Sequence, residues 1–307
     1  MNIDYLDAAL EGKNEWWRYL IAVLLILFFW LVLGSIPVVA AVAVVLTDDD
    51  PATGVGQFGL IGIDPLLNFI LLMFSFVAFL AGIFIAVRFI HQRPVRSLVT
   101  PAPQIDWGRL GQGFGIWIGL AALIALVEAV LFPARYQLTF QAARFLPFVP
   151  LVVLFIPMQT TAEELFFRGY VLQGFGRLTR NWFILAFLSG FLFMLPHLAN
   201  PEVSAGPALL ALFYFSLGAF LAIVTLKDNG LELALGVHAG NNLFTALLVN
   251  YEGSALPTPA IFTATELDPL FNLVASLVAM AVFYRLVFAR RRKQGEPAVT
   301  LDSNVRQ

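Results

Sequence analysis

The segment FLPFVPLVVLFIPM, residues 145–158, runs directly into QTTAEELFFRGYVLQGF, residues 159–175. Together they predict one long apolar helix whose second half carries Glu163, Glu164 and Arg168. An ionisable side chain deep in a membrane-type segment is energetically unfavourable, and by default it marks a functional site with a partner nearby. We therefore expect the rest of the chain to supply partners for these three side chains.

The composition indicates an integral membrane protein. Of the 307 residues, 60% are hydrophobic and 12% are charged, and the mean hydropathy is +0.84. Soluble domains are roughly 45–50% apolar and about 25% charged. The chain has no cysteine, which excludes disulfides, thiolate catalysis and cysteine-ligated metal sites. Membrane lipids are expected partners, and nucleic acid is not.

The pattern of apolar segments predicts an all-α fold. A membrane-spanning helix needs about 20 mostly apolar residues. By that criterion we predict a polytopic helical bundle of about eight transmembrane helices, which forms a single membrane domain over residues 1–307. The predicted spans are 19–46, 65–88, 108–132, 147–175, 182–198, 206–226, 231–250 and 267–289.

Lysine and arginine are distributed unequally between the predicted loops. Cytoplasmic loops carry the excess of these residues. With eight spans, both chain ends lie on one side, and this side includes the basic tail at residues 290–293. Of the loop cations, only Arg135 and Arg144 fall on the opposite side. The sequence therefore predicts an N-in, C-in orientation.

Two other predicted spans carry polar residues that could answer the glutamates. The fifth span contains FLFMLPHLAN, with Phe193 and His197 four residues apart, and the seventh contains LGVHAGNNLF, with His238 and Asn242 four residues apart. Residues at positions i and i+4 share a helix face. Each pair is therefore expected to point in one direction.

The two consecutive glutamates are expected to differ in role. They point about 100° apart on a helix, so we predict that they do not face the same small pocket. Glu164 and Arg168 are four residues apart and are suited to an ion pair. This leaves Glu163 free to face a cavity.

The polar residues are predicted to lie in one layer of the bilayer. If the fourth helix continues to about Arg177, Glu163 lies roughly 21 Å from the cytoplasmic end, and His197 lies at about 22 Å. His238 and Asn242 lie at about 12 and 18 Å. A single histidine or asparagine in a membrane helix usually joins two helices, with a contribution of about 1 kcal/mol. Convergence at one depth instead favours a functional site.

Two further features receive structural interpretations. His91 lies in a basic link between spans and is predicted to be solvated. Gly111, Gly115 and Gly119 recur every four residues in the third span. Small residues at this spacing favour close helix packing, so we predict a packing face there.

The three motifs resemble the signature of the CPBP family, also called ABI, which comprises type II CAAX prenyl endopeptidases and bacteriocin-processing or immunity proteins. The family motif EExxxR is similar to Glu163-Glu164-Leu-Phe-Phe-Arg168, FxxxH to Phe193–His197, and Hxxx(N/B) to His238–Asn242. All three occur in the family's order. The resemblance covers residues 145–250 closely, and this range is the expected catalytic core.

The resemblance implies a glutamate-dependent intramembrane endopeptidase. Glu163 and His197 would hold and deprotonate the attacking water, and His238 and Asn242 would donate hydrogen bonds to the oxyanion. Glu164, Arg168 and Phe193 would support the site structurally.

The resemblance also implies a substrate and a location. The substrate would be a lipidated or membrane-embedded polypeptide, with a CAAX-type prenylated chain as one candidate. The protein would lie in the bacterial inner membrane. The predicted depth and orientation of the site favour an opening to the cytoplasmic side, with entry from the cytoplasm or laterally from the inner leaflet.

Two alternatives remain open at the level of sequence. Glu163, His197 and His238 could bind zinc, since catalytic zinc sites use three such ligands and an open position. No HExxH motif is present, and we favour catalysis without a cofactor. The other alternative is a non-catalytic membrane protein of the bacteriocin-immunity type. A transporter would favour repeated halves with broken helices, and we find no such repeat.

Overall fold

In the computed structural model of the protein, residues 4–56 and 59–289 are described. Over these ranges the chain forms a bundle of eight main helices, so the predicted all-α polytopic membrane fold is confirmed. The basic tail at residues 290–293, used above to infer orientation, lies outside the described residues. The helices are α1 (Trp16–Val45), α2 (Pro65–Ile90), α3 (Trp107–Leu131), α4 (Ala142–Phe175), α5 (Trp182–His197), α6 (Pro207–Asp228), α7 (Glu232–Leu247) and α8 (Pro269–Ala289).

Six of these helices are long and apolar enough to cross a membrane, namely all except α5 and α7. Helices α5 and α7 have 16 residues each. Such a helix is about 24 Å long, which is shorter than the roughly 30 Å hydrocarbon core of a bilayer. The predicted span 231–250 was too long, because residues after α7 turn into a short strand.

The helix starts follow from local capping chemistry. The side chains of Asp64 and Asp106 accept hydrogen bonds from backbone N–H groups three residues later. Asn181 and Asp268 do the same in the first turns of α5 and α8. Each of these side chains satisfies an N–H group that the helix itself leaves unpaired.

Short strands cover one end of the bundle. β1 (Gly54–Gly56) pairs with β2 (Gly59–Ile61), and β3 (Tyr136–Leu138), β5 (Phe262–Ala264) and β4 (Val249–Tyr251) form a second sheet in that order. Strand β5 runs antiparallel to β3 and parallel to β4. The connections at this end comprise residues 46–56 and 59–64, 132–141, 198–206 and 248–268, and we call it the strand end.

The opposite end, which we call the N-terminal end, comprises residues 4–15, 91–106, 176–181 and 229–231. A 3-10 helix at Tyr5–Glu11 lies here, and the Tyr5 backbone N–H donates to the side chain of Asn229. The predicted solvation of His91 is wrong, because the link folds back under the bundle. His91 is 1% exposed, and its Nε2 lies 2.8 Å from the Tyr170 hydroxyl.

Glycines allow α3 and α7 to pack closely, but they are not the three glycines that the sequence predicts. A Cβ at Gly111, Gly115 or Gly119 would have no neighbour within 4 Å, so the predicted packing face is wrong. A Cβ at Gly113 would instead clash with the backbone of α7, and one at Gly236 would clash with the backbone of α3. Gly113 lies on the opposite face of α3, because two residues correspond to about 200° of helix rotation.

Candidate active site

Helix α4 carries the EExxxR motif well inside the bundle. The helix continues past the motif to Phe175, which the predicted depth of Glu163 required. Residues Leu165–Val171 form a π-helical turn within α4. Such turns are rare and are frequent at functional sites. This turn places Arg168 in the fully buried centre of the bundle.

The predicted ion pair between Glu164 and Arg168 is present. Arg168 Nη1 lies 2.8 Å from Glu164 Oε1, and both side chains are fully buried. Arg168 Nη2 also donates to the Gly218 carbonyl at 3.2 Å, and the guanidinium lies 4.3 Å from the ring centroid of Phe193. The pair therefore joins α4 to both α5 and α6.

His238 lies between the two glutamates. Its Nδ1 is 2.7 Å from Glu164 Oε1, and its Nε2 is 3.5 Å from Glu163 Oε2. As expected, the two glutamates do not face one pocket, because Glu163 lines the cavity described below and Glu164 does not. Helix α7 inserts the imidazole of His238 between them. The two ring nitrogens face opposite ways and so reach both carboxylates. A carboxylate only accepts hydrogen bonds, so the contact with Glu164 directs the Nδ1–H group toward it.

His197 lies at the end of α5 with its ring fixed on three sides. Its Nδ1 lies 2.7 Å from the Phe193 carbonyl oxygen, which can only accept, so Nδ1 carries the hydrogen. In the neutral ring, Nε2 is then an acceptor. The ring packs between Phe193 and Tyr214, with centroid distances of 4.3 and 4.4 Å. This arrangement leaves Nε2 as the nitrogen of His197 that can accept a hydrogen bond from a ligand.

A chain of amides connects Asn242 to Glu163. Asn242 Nδ2 donates to Gln159 Oε1 at 3.1 Å, and Gln159 Nε2 donates to Glu163 Oε1 at 2.8 Å. Asn241 Nδ2 donates to Asn242 Oδ1 at 3.0 Å. Sequence reasoning missed Gln159 and Asn241. The spacing of Gln159, four residues before Glu163, was a usable signal because it places both on one helix face.

These side chains line one cavity of about 360 Å³. Glu163, His197, His238 and Asn242, the four predicted catalytic residues, all lie on its wall. Much of the remaining wall is apolar, and its α1 and α2 side is formed by Trp30, Leu72, Met73, Ser75 and Phe76. The cavity thus combines an apolar wall with a small convergent set of polar groups, as in most sites for small ligands and substrates.

One oxygen of Glu163 is buried and has no hydrogen-bond partner among the described residues. This atom, Oε2, lies on the side of His238, while Oε1 accepts from Gln159. Buried polar atoms without a partner are rare, and each needs a structural or functional reason. A carboxylate oxygen of this kind is a suitable acceptor for a proton of a bound water.

The predicted zinc ligands were tested against the arrangement of donor groups. Within residues 4–56 and 59–289, no group of three or more His, Cys, Asp or Glu side chains is placed to hold a metal ion. The Nδ1 atom of His238 is occupied by its 2.7 Å contact with Glu164. Glu163, His197 and His238 therefore do not form a zinc site in this arrangement.

Comparisons with known proteins identify a family match over part of the chain and a relative over most of its length. Residues 143–244 match the family model described as type II CAAX prenyl endopeptidase Rce1-like. The chain is also 33% identical over 276 residues to the uncharacterized protein YyaK of Bacillus subtilis (strain 168). That alignment covers 89% of this chain and 92% of the relative. No solved structure matches the chain significantly.

Proposed function

The chain belongs to the Rce1-like family of type II CAAX prenyl endopeptidases, and we therefore propose that it is an intramembrane endopeptidase that acts on a membrane-associated polypeptide. The observation that carries the proposal is the unpartnered Oε2 atom of Glu163 inside the cavity that His197 also lines. A general base must have a free acceptor within reach of the proton that it removes.

In the proposed mechanism, a water molecule binds between Glu163 Oε2 and His197 Nε2. Glu163 takes a proton from the water, and the resulting hydroxide attacks the carbonyl carbon of the scissile peptide bond. The tetrahedral intermediate then collapses as the C–N bond breaks, and Glu163 passes its proton to the leaving amine. The products are one new carboxylate end and one new amine end.

Negative charge on the tetrahedral oxygen needs fixed hydrogen-bond donors. Asn242 has two N–H groups on Nδ2 and uses one for Gln159, so the other is assigned to the oxyanion. We assign the second donor to His238 Nε2. This role requires the doubly protonated ring, because the Nδ1–H group is directed at Glu164.

Glu164, Arg168 and Phe193 act as supports in this proposal. Glu164 fixes the orientation of His238, and Arg168 fixes Glu164. Phe193 contacts both the guanidinium of Arg168 and the ring of His197. The supports thus orient both histidines without contacting the substrate.

We propose that the chain lies in the bacterial plasma membrane with both ends in the cytoplasm, as the distribution of basic residues predicts. The substrate is a lipidated or membrane-embedded polypeptide whose apolar part packs against Leu72, Met73 and Phe76. A CAAX-type prenylated chain is the candidate that the family name suggests.

We propose that catalysis needs no metal ion. The test is to measure peptide cleavage and metal content of the purified protein before and after chelation. Unchanged cleavage by metal-free protein is the expected result. Loss of cleavage on chelation, with recovery on addition of zinc, would overturn the proposal.

The function is tested by comparing peptides in cells that carry the wild-type protein, Glu163→Gln or His197→Ala. Both variants should accumulate the same uncleaved polypeptides. Glu252→Gln is a matched control, because Glu252 is an exposed glutamate outside the cavity lining. If the peptides in Glu163→Gln and His197→Ala cells equal those of wild-type cells, the chain is not a protease of this kind.

A further inference from the structure

The catalytic cavity reaches one end of the bundle only. Apart from the helices, its lining includes Asn200 and Glu202 from the connection between α5 and α6, and Tyr251 and 254–256 from the connection between α7 and α8. Both connections belong to the strand end. Among the described residues, none that lines the cavity belongs to the N-terminal end.

The positions of the cavity residues along their helices also place the cavity near the strand end. His197 is the last residue of α5 and lies 15 residues after Trp182, which corresponds to about 22 Å from the N-terminal end. Asn242 lies five residues before the end of α7, and Ser276 lies seven residues into α8. These two are therefore about 8 and 10 Å from the strand end. The cavity occupies the half of the bundle nearer that end.

The N-terminal end is closed by packed side chains. Tyr5 is fully buried, and its hydroxyl donates to the carbonyl of Leu98 at 2.6 Å and lies 3.1 Å from that of Arg168. Burial raises the pKa of Tyr5 well above its usual value, so the hydroxyl keeps its proton and donates. Arg93 is 2% exposed and donates to Gln173 at 2.7 Å. These groups lie between the N-terminal surface and the motif of α4.

The basic residues place this closed end in the cytoplasm. Cytoplasmic loops are rich in lysine and arginine. Of the basic residues in the described connections and helix ends, only Arg135 and Arg144 lie at the strand end. That end also carries acidic residues, at positions 48–50, Glu252 and Glu266. The N-terminal end carries Lys13, Arg18, Arg88, Arg93, Arg96, Arg109, Arg177, Arg180 and Lys227.

The charge of the cavity restricts the substrate further. Glu163 and Glu202 line it, and no lysine or arginine of the described chain does. Glu202 is 6% exposed and accepts from the Tyr214 hydroxyl at 2.5 Å and from the Ala255 backbone N–H at 3.0 Å. A free terminal carboxylate near the scissile bond would find no cation to bind there. An internal peptide bond avoids this repulsion.

We propose that the cavity receives its substrate from the extracytoplasmic side, and that the substrate is an exported, membrane-associated polypeptide cleaved at an internal bond. The cleavage itself rests on the proposed function above, whereas the side of access does not. The route differs from the cytoplasmic opening that the sequence predicts from the depth of the site.

Cysteine labelling in intact cells tests the side of access, because the chain has no cysteine of its own. Three single variants are compared. Ser276→Cys reports on the cavity, Ala52→Cys on the exposed connection at the strand end, and Leu178→Cys on the N-terminal end, where Leu178 is 82% exposed. The probe is a maleimide that does not cross membranes, applied before and after permeabilisation.

The expected result is labelling of Ser276→Cys and Ala52→Cys in intact cells, and labelling of Leu178→Cys only after permeabilisation. The proposal is overturned if Ser276→Cys is protected in intact cells while Ala52→Cys is labelled. It is equally overturned if Leu178→Cys is labelled in intact cells and Ala52→Cys is not, because the orientation is then inverted. Labelling requires no catalysis, so a failure here is distinct from a failure of the protease assignment.

The proposed substrate class is tested by the location of the polypeptides that accumulate when cleavage is blocked. Polypeptides that accumulate in Glu163→Gln cells should be accessible to protease added outside the cells, and they should retain uncleaved internal sites. Accumulation confined to polypeptides on the cytoplasmic face, or loss of cleavage only at prenylated C-termini, would contradict the proposed class.

Discussion

Replacing Arg168 by methionine should destabilise the protein strongly, although methionine fits an apolar interior. The change leaves Glu164 fully buried without its cation. Removal of one partner of a buried ion pair typically costs about 3–5 kcal/mol. Glu164 keeps its contact with His238 at 2.7 Å, so we expect the lower end, about 3 kcal/mol. At about 2–4 °C per kcal/mol for chains of 150–250 residues, the thermal midpoint should fall by about 6–12 °C, or somewhat less for this longer chain.

The matched control is the double variant Arg168→Met with Glu164→Gln. It removes both charges, and buried ion pairs replaced by neutral groups are often neutral or stabilising. The double variant should therefore recover at least about 2 kcal/mol relative to Arg168→Met alone. Thermal unfolding of the purified proteins in one detergent measures all three. An Arg168→Met protein as stable as wild type, or a double variant no more stable than the single one, would refute the reasoning.

Three further predictions test other parts of the account. Gly236→Ala should lower the free energy of unfolding by about 1–3 kcal/mol, because the added Cβ clashes with the α3 backbone. The control Gly111→Ala adds a Cβ with no neighbour within 4 Å, and it should change the free energy of unfolding by less than about 0.5 kcal/mol. Unfolding of the purified proteins in detergent measures both. Burial lowers the pKa of His91 in the folded protein. Below about pH 6.5 the unfolded state therefore binds more protons than the folded state, which favours unfolding. The free energy of unfolding, measured from about pH 7 to 5, should decline more in wild type than in His91→Gln. Gln159→Met should reduce kcat about tenfold, because Glu163 loses a hydrogen bond worth about 1.5 kcal/mol or more. The same loss should lower the unfolding midpoint by about 3–6 °C or somewhat less.

The local part of the site could be predicted from sequence. The Glu164–Arg168 pair follows from spacing on one helix, which needs no knowledge of neighbouring helices. The same argument places His238 and Asn242 on one face, and both line the cavity. It could not predict that His238 lies between the two glutamates, because that position depends on how α7 packs against α4.

Burial and cavity openings that depend on how connecting segments fold against the bundle could not be predicted from the sequence. His91 is interpreted as solvated because its neighbours in sequence are basic, but its Nδ1 contacts the Lys13 carbonyl and its Nε2 contacts the Tyr170 hydroxyl, which leaves it buried. The direction in which the cavity opens belongs to the same class. It depends on which connections pack over the bundle, and apolar periodicity within each helix contains no information on this.

The most direct test of the central claim is cleavage by the purified protein in lipid vesicles and ¹⁸O-labelled water. The substrate is the precursor that accumulates in Glu163→Gln cells, and Glu252→Gln serves as the control. The account predicts that wild type and control introduce one labelled oxygen into the new carboxyl end, and that Glu163→Gln lowers kcat by about 100-fold or more with an unchanged unfolding midpoint. Cleavage by Glu163→Gln at the wild-type rate would contradict the account.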